Sequence, residues 1–531
     1  MLSLIKDKEK RKSIYLLAVI LLIGILIRVI GLASYPNSLN ADEASSAYDA
    51  FSILHDGIDR NGNYLPVFLE AWGSGQNALY SYLMIPLLWL LGLSTFTIRL
   101  PMAIIGCISL VVFYCLVKRM TNQKTAIIGA LFLAICPWHI MKSRWGLESN
   151  LFPDLMLLSI FLLIKGMQDK KKVYQILGYL VAGITAYAYG TSYFFLPCFF
   201  IPLLILLVKR KEITYKQAIL NIGIIAIIAL PIILFVMINT FNLPAVHFPF
   251  MTIPRLEVNR YEEVTSLFSS GFVKNSLENF VGGLKILFLQ TDDLPWNAIW
   301  PYGTLYLFST AFTIIGIIKA IRKRKEIQYG YIMGLWLIIS FLLLFVCEPN
   351  INRINIIFFP IIFYTVLGIE EVVKQGKIFA IIVSILYLAS FGTFVYAYQK
   401  EDANTYSTFE GNLQEPIEYV GSLEDKEIYI TNSIKEPYIY VLFYTKYNPY
   451  DFVGTVQYYN EGEAFQQVKS FGPYHFAKIT RLDDQSQNVY VVKKEQMEEM
   501  EKNPEEYGIE NLEEKFRVTE FQNYVVLEGI E

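Results

Sequence analysis

The stretch "NALYSYLMIPLLWLLGL", Asn77 to Leu93, decides how the rest of the chain is laid out. Taken alone it looks like one more helix crossing a membrane. It is short for that role, since a bilayer core takes about 20 apolar residues, and Pro86 interrupts it. Counting it as a crossing would also put the basic cluster "KRMTNQK" (118–124) outside, against the bias of Lys and Arg toward the cytoplasm. The stretch is therefore read as a juxtamembrane helix lying on the outer surface.

The membrane itself follows from composition. Of 531 residues 54% are hydrophobic, with 37 Phe and 36 Tyr, and mean hydropathy is +0.40, which excludes a soluble protein of this length. Apolar stretches suited to spanning run near 14–33, 97–117, 125–141, 149–166, 174–190, 192–208, 217–239, 301–320, 329–347, 353–369 and 377–397. The clusters "KDKEKRK" (6–12), "KRMTNQK" (118–124), "KGMQDKKK" (165–172), "KRKEITYK" (209–216), "RKRKE" (322–326) and "KQGK" (374–377) all fall on one side if the N-terminus is cytoplasmic and the C-terminus outside. The basic start followed by an apolar run is read as an uncleaved anchor rather than a removed signal. Five cysteines sit in apolar segments without paired spacing, and four scattered histidines match no ligand pattern, so neither disulfides nor zinc are expected.

The expected fold is thus a mostly α, polytopic membrane protein with about 11 transmembrane helices and a small C-terminal α/β or α+β extracytoplasmic domain. A membrane module covers 1–398, with outer loops at about 34–96 and 240–300, and the polar, acidic tail covers 399–531. The tail holds strand-like runs at 428–433, 438–447, 474–480, 488–492 and 524–529, with a partly helical charged run at 493–516. No internal repeat is visible.

Just after the first span comes "NADEASSAYDAF" (40–51). Asn40 with Glu43 three residues later fits a capping box, and Asp42 suits the positive end of a helix. The same placement, at the membrane's outer surface, would let Asp42 deprotonate an acceptor hydroxyl; the local sequence leaves cap and base both open. Asp49, seven residues on, shares nearly the same face and is read as a substrate contact, a metal ligand or a solvated acid.

Arg99, Arg144 and Arg353 each fall at the outer end of an expected span, where basic residues are less expected. Snorkelling to headgroups explains one such arginine; three on one face suggest an anion, since the planar guanidinium fork matches phosphate. In "FLQTDDLPWNAIWPYG" (288–303), Asp292, Asp293 and Trp296 combine carboxylates with an aromatic ring, a pairing that can hold a sugar or anchor an interface. The aromatic run "AYAYGTSYFFLP" (186–197) offers Tyr189 on the same terms.

With these residues in hand, the chain resembles GT-C superfamily glycosyltransferases of the protein O-mannosyltransferase and aminoarabinose transferase type. The resemblance covers about residues 10–400. It rests on Asp42–Glu43 after the first span, the juxtamembrane "GQNALYSYLMIPLLWLLG" (75–92), "RLP" (99–101), "SRWGLESN" (143–150) and "INRINIIFFPIIF" (351–363). Glu148 and Ser149 stand where related sequences often carry Asp, and the Gln76 region departs from the mannosyltransferases' "HPPL", which detaches the acceptor from protein serine or threonine. The resemblance implies inverting transfer of a hexose or pentose from a polyprenyl-phosphate carrier to an acceptor glycan, lipid or protein on the outer face. It makes Asp42 the base, Glu43 its helper or an acceptor contact, and Arg353 the donor-phosphate ligand; Arg144 and Arg99, on the same face, are further phosphate candidates from their placement. Asp49, Glu148, Asp292, Asp293, Trp296 and Tyr189 are candidate sugar or acceptor contacts. There is no DxD, no cofactor is firmly expected, and a divalent metal is left open. No nucleic acid partner is expected.

Two other classes fit the chain less well. A transporter or flippase for lipid-linked glycans would show repeated halves and midplane charges. A membrane-anchored assembly protein would leave the two large outer loops unexplained.

Overall fold

The computed structural model describes residues 2–72, 75–256, 271–292, 294, 296–400, 409–460, 463, 466–508 and 512–530, with side chains described from Arg11 onward. The chain divides into two compact units. One takes 1–32, 99–234 and 260–402; the other takes 33–98, 235–259 and 403–531.

A helix lies within or across each of the eleven stretches expected to span. Among the described residues seven helices are long and apolar enough to cross a membrane: Arg11–Val29, Thr95–Met120, Glu148–Gln168, Ser192–Lys209, Tyr215–Thr240, Ile351–Val373 and Lys377–Gln399. The chain is a membrane protein. In the first and last of these only 17% of the apolar window is covered by protein, so both helices turn most of their hydrophobic surface outward. The other four, Gln123–Ile135, Lys172–Thr185, Ser309–Arg322 and Gly330–Leu343, have 13 or 14 residues. At 1.5 Å per residue that is about 20 Å, short of the ~30 Å hydrocarbon core. Leu79–Leu91, with 13 residues and Pro86 inside it, is short in the same way.

The expected span at 125–141 is broken, and the break has an identifiable cause. Pro137 brings no N–H, so the Gln123–Ile135 helix ends at Cys136 and a new helix, Pro137–Lys142, starts at once. The orphaned carbonyls find other donors. Arg28 donates to Leu133 O (2.9 Å) and Ala134 O (3.1 Å), and the Tyr306 hydroxyl donates to Ile135 O at 2.7 Å. Elsewhere in this helical unit Ser309–Arg322 packs against the helix containing Phe358–Val373 through paired glycines. A Cβ on Gly316 would lie 1.7 Å from Tyr364 O, and one on Gly368 would lie 1.8 Å from Phe312 O. Only glycine lets the two backbones come that close.

The second unit centres on a seven-stranded mixed sheet. Its order is 516–520, 524–529, 488–493, 427–431, 474–477, 468–471 and 457–458. Glu427–Thr431 runs parallel to both of its neighbours, and every other pairing is antiparallel. Helix Lys494–Lys502 covers one part of it, burying Met497 and Met500 against Tyr490, Val492 and Leu527. The run 438–447, expected as a strand, is instead the helix Pro437–Thr445 with Tyr438 to Tyr444 all buried. An apolar run of this length carries no period that separates strand from buried helix, and Pro437 at the first helical position tips it.

In the same unit helix Ala41–Asp56 packs against Leu79–Leu91 and against Pro437–Thr445. Tyr48 donates to Tyr447 O at 2.7 Å, Tyr440 to Leu39 O at 3.2 Å, and Ser81 to Ser46 O at 2.9 Å. These bonds fix both the start and the body of the helix that carries Asp42.

Candidate functional site

The capping box read at Asn40 is formed. Asn40 has extended backbone (φ −79°, ψ 152°), its side-chain oxygen accepts from Asp42 N at 2.9 Å, and Glu43 Oε2 accepts from Asn40 N at 3.3 Å. Glu43 is 1% exposed, whereas Asp42 is half-buried. Asp42 Oδ1 accepts the indole N–H of Trp72 at 3.3 Å. The candidate base is thereby held by its own main chain from one side and by a loop residue from the other.

Asp49 does not face water. It is fully buried, its Oδ1 accepts from Arg60 N at 3.1 Å, and the Arg60 Nε lies 3.8 Å away. Burial pushes the Asp49 carboxyl above the usual range against the pull of Arg60. Burial also works against the Arg60 charge, but Asp49 and the other acids nearby outweigh it and keep the guanidinium protonated. Asp59 closes the turn "DRNGN" by accepting from Asn61 N (2.9 Å) and Asn63 N (2.8 Å). Burial, with Asp49 next in effect, raises Asp59 to about 7. Sequence reasoning missed Arg60, Asp59 and Trp72. The turn chemistry of "DRNGN" was visible, but nothing local says that it carries an arginine to Asp49 and a tryptophan to Asp42. Among the described residues no three His, Cys, Asp or Glu side chains gather as they would around a metal ion.

In the helical unit the three arginines separate by what they touch. Arg144 is 2% exposed and donates to Ile27 O (2.8 Å), Ile30 O (2.9 Å) and Gly31 O (2.7 Å). Arg99 is fully buried and donates to Leu32 O at 3.2 Å. Both satisfy carbonyls at and after the end of the first long helix, where four are orphaned by geometry. Arg353 is different. Its side chain is 21% exposed, donates to Glu348 O at 3.1 Å and pairs with Glu348 Oε2 at 3.0 Å, and Glu348 is itself 74% exposed.

Arg353 sits in the turn Ile351–Ile354, capped by Asn350, whose side chain accepts from Arg353 N at 2.8 Å. Asp292 supports the same turn: its Oδ2 accepts from Ile351 N at 2.7 Å and from Asn297 Nδ2 at 2.9 Å. Trp296 is half-buried four residues on; Asp293 lies outside the described residues. Glu148 opens the helix Glu148–Gln168 and is 8% exposed, and Tyr189 is half-buried in the bend before Ser192–Lys209. A buried ion pair that the sequence reading did not single out, Lys142 with Asp154, lies beside His139.

A family model described as "Dolichyl-phosphate-mannose-protein mannosyltransferase" matches residues 77–235. No curated protein sequence matches the chain. In structure, ArnT from Cupriavidus metallidurans bound to undecaprenyl phosphate superposes with a TM-score of 0.58 at 12% identity, over 97% of this chain and 98% of that one. The apo state of the same protein gives 0.55 at 11% identity, over 97% of each chain. The oligosaccharyltransferase AglB from Archaeoglobus fulgidus, in complex with an inhibitory peptide and a dolichol-phosphate, gives 0.52 at 12% identity, over 82% of this chain and 64% of that one. Identity this low shows a shared fold.

Proposed function

The chain has the fold of the GT-C membrane glycosyltransferases, and from that premise we propose that it moves a single sugar from a polyprenyl-phosphate carrier to an acceptor on the extracytoplasmic face. In this reading the eleven helices all cross, with the N-terminus in the cytoplasm, and residues 399–531 form an outer domain. The transfer inverts the anomeric centre. The acceptor hydroxyl loses its proton to Asp42, its oxygen bonds to the anomeric carbon, and the carbon–oxygen bond to the phosphate breaks on the opposite face. Polyprenyl phosphate leaves with the electron pair. Carboxylate bases serve in this way against oxocarbenium-like centres in inverting glycoside cleavage. Arg353 answers the negative charge that grows on the leaving phosphate, the kind of interaction that carries the largest share of such catalysis.

The observation that carries the proposal is the state of Asp42. It is a half-buried carboxylate at a capped helix start, oriented by an indole N–H, while its neighbour Glu43 is buried and takes part in the cap. Glu43 therefore helps by fixing the helix start. Arg99 and Arg144 serve the donor through the end of the first helix that they hold, and Arg353 is the partly exposed arginine, paired with the surface acid Glu348. The acceptor is a glycan, a lipid or a protein of the cell envelope.

The test is transfer by purified protein of radiolabelled sugar from polyprenyl-phosphate donors, of hexose and pentose type, to extracted envelope lipids and glycans. Label should move with at least one donor. A folded preparation that consumes no polyprenyl-phosphate sugar, with acceptors from its own host present, would overturn the proposal.

A further inference from the structure

Loop 57–72 begins where helix Ala41–Asp56 ends and returns to the helix start. Two of its side chains grip that helix at separate points. Arg60 pairs with Asp49 in the second half of the helix, and Trp72 donates to Asp42 in the first turn. The two acids are seven residues, about 10 Å of rise, apart. The grips are joined to each other. The Arg60 guanidinium carbon lies 5.3 Å from the centre of the Trp72 ring, within cation–π range. Arg60 Nη2 and Asn61 Nδ2 both donate to Glu70 O, at 3.3 and 2.9 Å, which fixes the main chain two residues before the indole. Tyr438 meets the indole edge-on at 5.9 Å and 81°. Trp72 itself adopts φ +55°, a left-handed backbone that a bulky residue keeps only where its surroundings impose it. Trp72 lines a small cavity with Arg60, Asn61 and Tyr438, of about 10 Å³, room for one water.

We propose that Trp72 is a positioning residue for Asp42, and that Arg60, anchored on buried Asp49, sets the indole so that its N–H keeps the Asp42 carboxylate ionised and aimed. The proposal rests on the reading of Asp42 as the base. An N–H donor favours the charged form of a carboxylate, so the bond keeps Asp42 competent to lower pH. Among the charges that bear on Asp42 is Glu436, at the start of Pro437–Thr445; Arg60 acts through the ring. The Glu436 charge opposes ionisation of Asp42, which is the effect the indole offsets. Asp49 and Arg60 touch no reacting atom in this scheme. Their buried pair is the fixed post from which the loop holds the base.

The experiment measures kcat/KM against pH with the polyprenyl-phosphate sugar that wild type turns over, for wild type, Trp72→Phe, Arg60→Lys and Asp42→Asn, each checked for thermal melting. Trp72→Phe keeps a ring for Arg60 and Tyr438 and removes only the donor. Its acid limb should move about one pH unit toward higher pH, the effect of losing one bond to a charged group, with KM for the donor unchanged. Arg60→Lys keeps the charge beside Asp49 but loses the planar stacking, and should move the limb the same way by less. It carries the test if Trp72→Phe does not fold. A wild-type acid limb in folded Trp72→Phe, or in Arg60→Lys where that variant stands in, overturns the positioning role while an inactive Asp42→Asn leaves the base in place. A fully active Asp42→Asn overturns the base reading, and with it the positioning role.

Discussion

Two helix starts in this protein are capped by the same residue type and carry opposite charges. Asn40 accepts from Asp42 N at 2.9 Å, and Asn350 accepts from Arg353 N at 2.8 Å. At the first, the residue inside the cap is an acid, which the positive end of a helix favours. At the second it is a base, which the same end disfavours, and the compensating acid is brought from elsewhere: Asp292 accepts Ile351 N at 2.7 Å. Capping therefore explains Asp42 and fails to explain Arg353. The acid needs the Trp72 bond and the fold to lift it above a structural reading. The arginine has a local partner in Glu348, through both its carboxylate and its main-chain carbonyl, and stands out by being the one of the three arginines that is partly exposed.

The largest effect that would break this pairing is expected at Asp42. Asp42→Asn preserves size and can sit in the same turn, so its melting temperature should stay close to wild type, the dipole contribution lost being at most about 1 kcal/mol. Sugar transfer should fall by about 10²–10⁴, the usual share of a general base. Retained transfer would reduce Asp42 to an ordinary first-turn acid, the mirror of what is claimed for Arg353.

Arg353→Ala comes next. A charge-assisted bond to phosphate is worth about 1.5–3 kcal/mol, so polyprenyl phosphate should bind roughly 10- to 100-fold more weakly in a direct titration. Glu348→Gln is its counterpart. That pair is exposed, worth at most about 1 kcal/mol, and its loss should leave phosphate affinity unchanged or slightly raised. Equal affinity in wild type and Arg353→Ala would return this arginine to the class of snorkelling residues.

The two starts should also differ in how they answer to pH. The loop behind Asp42 contains Asp59, which burial and Asp49 raise to about 7, whereas an unfolded Asp titrates near 3.8. Between those values the folded chain holds a proton that the unfolded chain has released. Stability is then greatest below about pH 4 and falls as pH rises toward 7. Asp59→Asn should flatten that slope in melting curves taken in detergent from pH 5 to 8. An unaltered slope would mean that Asp59 is ionised throughout, held by the amides of Asn61 and Asn63.

How much of this the sequence disclosed depends on whether a feature is local. Helices at all eleven expected positions were legible because hydropathy is a property of each stretch, and the Asn40–Glu43 cap because it is a property of four residues. The break at Cys136–Pro137 was not, although Pro137 was in plain view, because what makes it tolerable is Arg28 arriving from another helix to take the Leu133 and Ala134 carbonyls. The run 438–447 went astray for the opposite reason: its residue types favour a strand, while Pro437 at the first position starts a helix that the fold buries completely. Arg99 and Arg144 were read as anion ligands from their unusual location. In the structure their guanidiniums donate to main-chain carbonyls at the end of the first helix. Trp72 and Arg60 carried no local signal, since a loop's role is set by where it returns.

The smallest expected effects lie in the caps themselves, and they separate the two starts most finely. Asn40→Ala removes the acceptor for Asp42 N but leaves Glu43 able to accept the residue-40 N–H, and Trp72 still holds the Asp42 side chain. The cost should be about 1 kcal/mol or less in a thermal melt, with transfer reduced only a few-fold. Asn350→Ala removes the acceptor for Arg353 N itself, in a turn of four residues whose other support is Asp292. Its stability cost should be similar, yet it should loosen the residue proposed to meet phosphate, so donor affinity should drop several-fold while Asn40→Ala leaves that affinity alone. Should the two substitutions weaken phosphate binding equally, the cap at Asn350 would be holding only a helix start, and the difference drawn between the acid and the base would have to rest on Arg353→Ala alone.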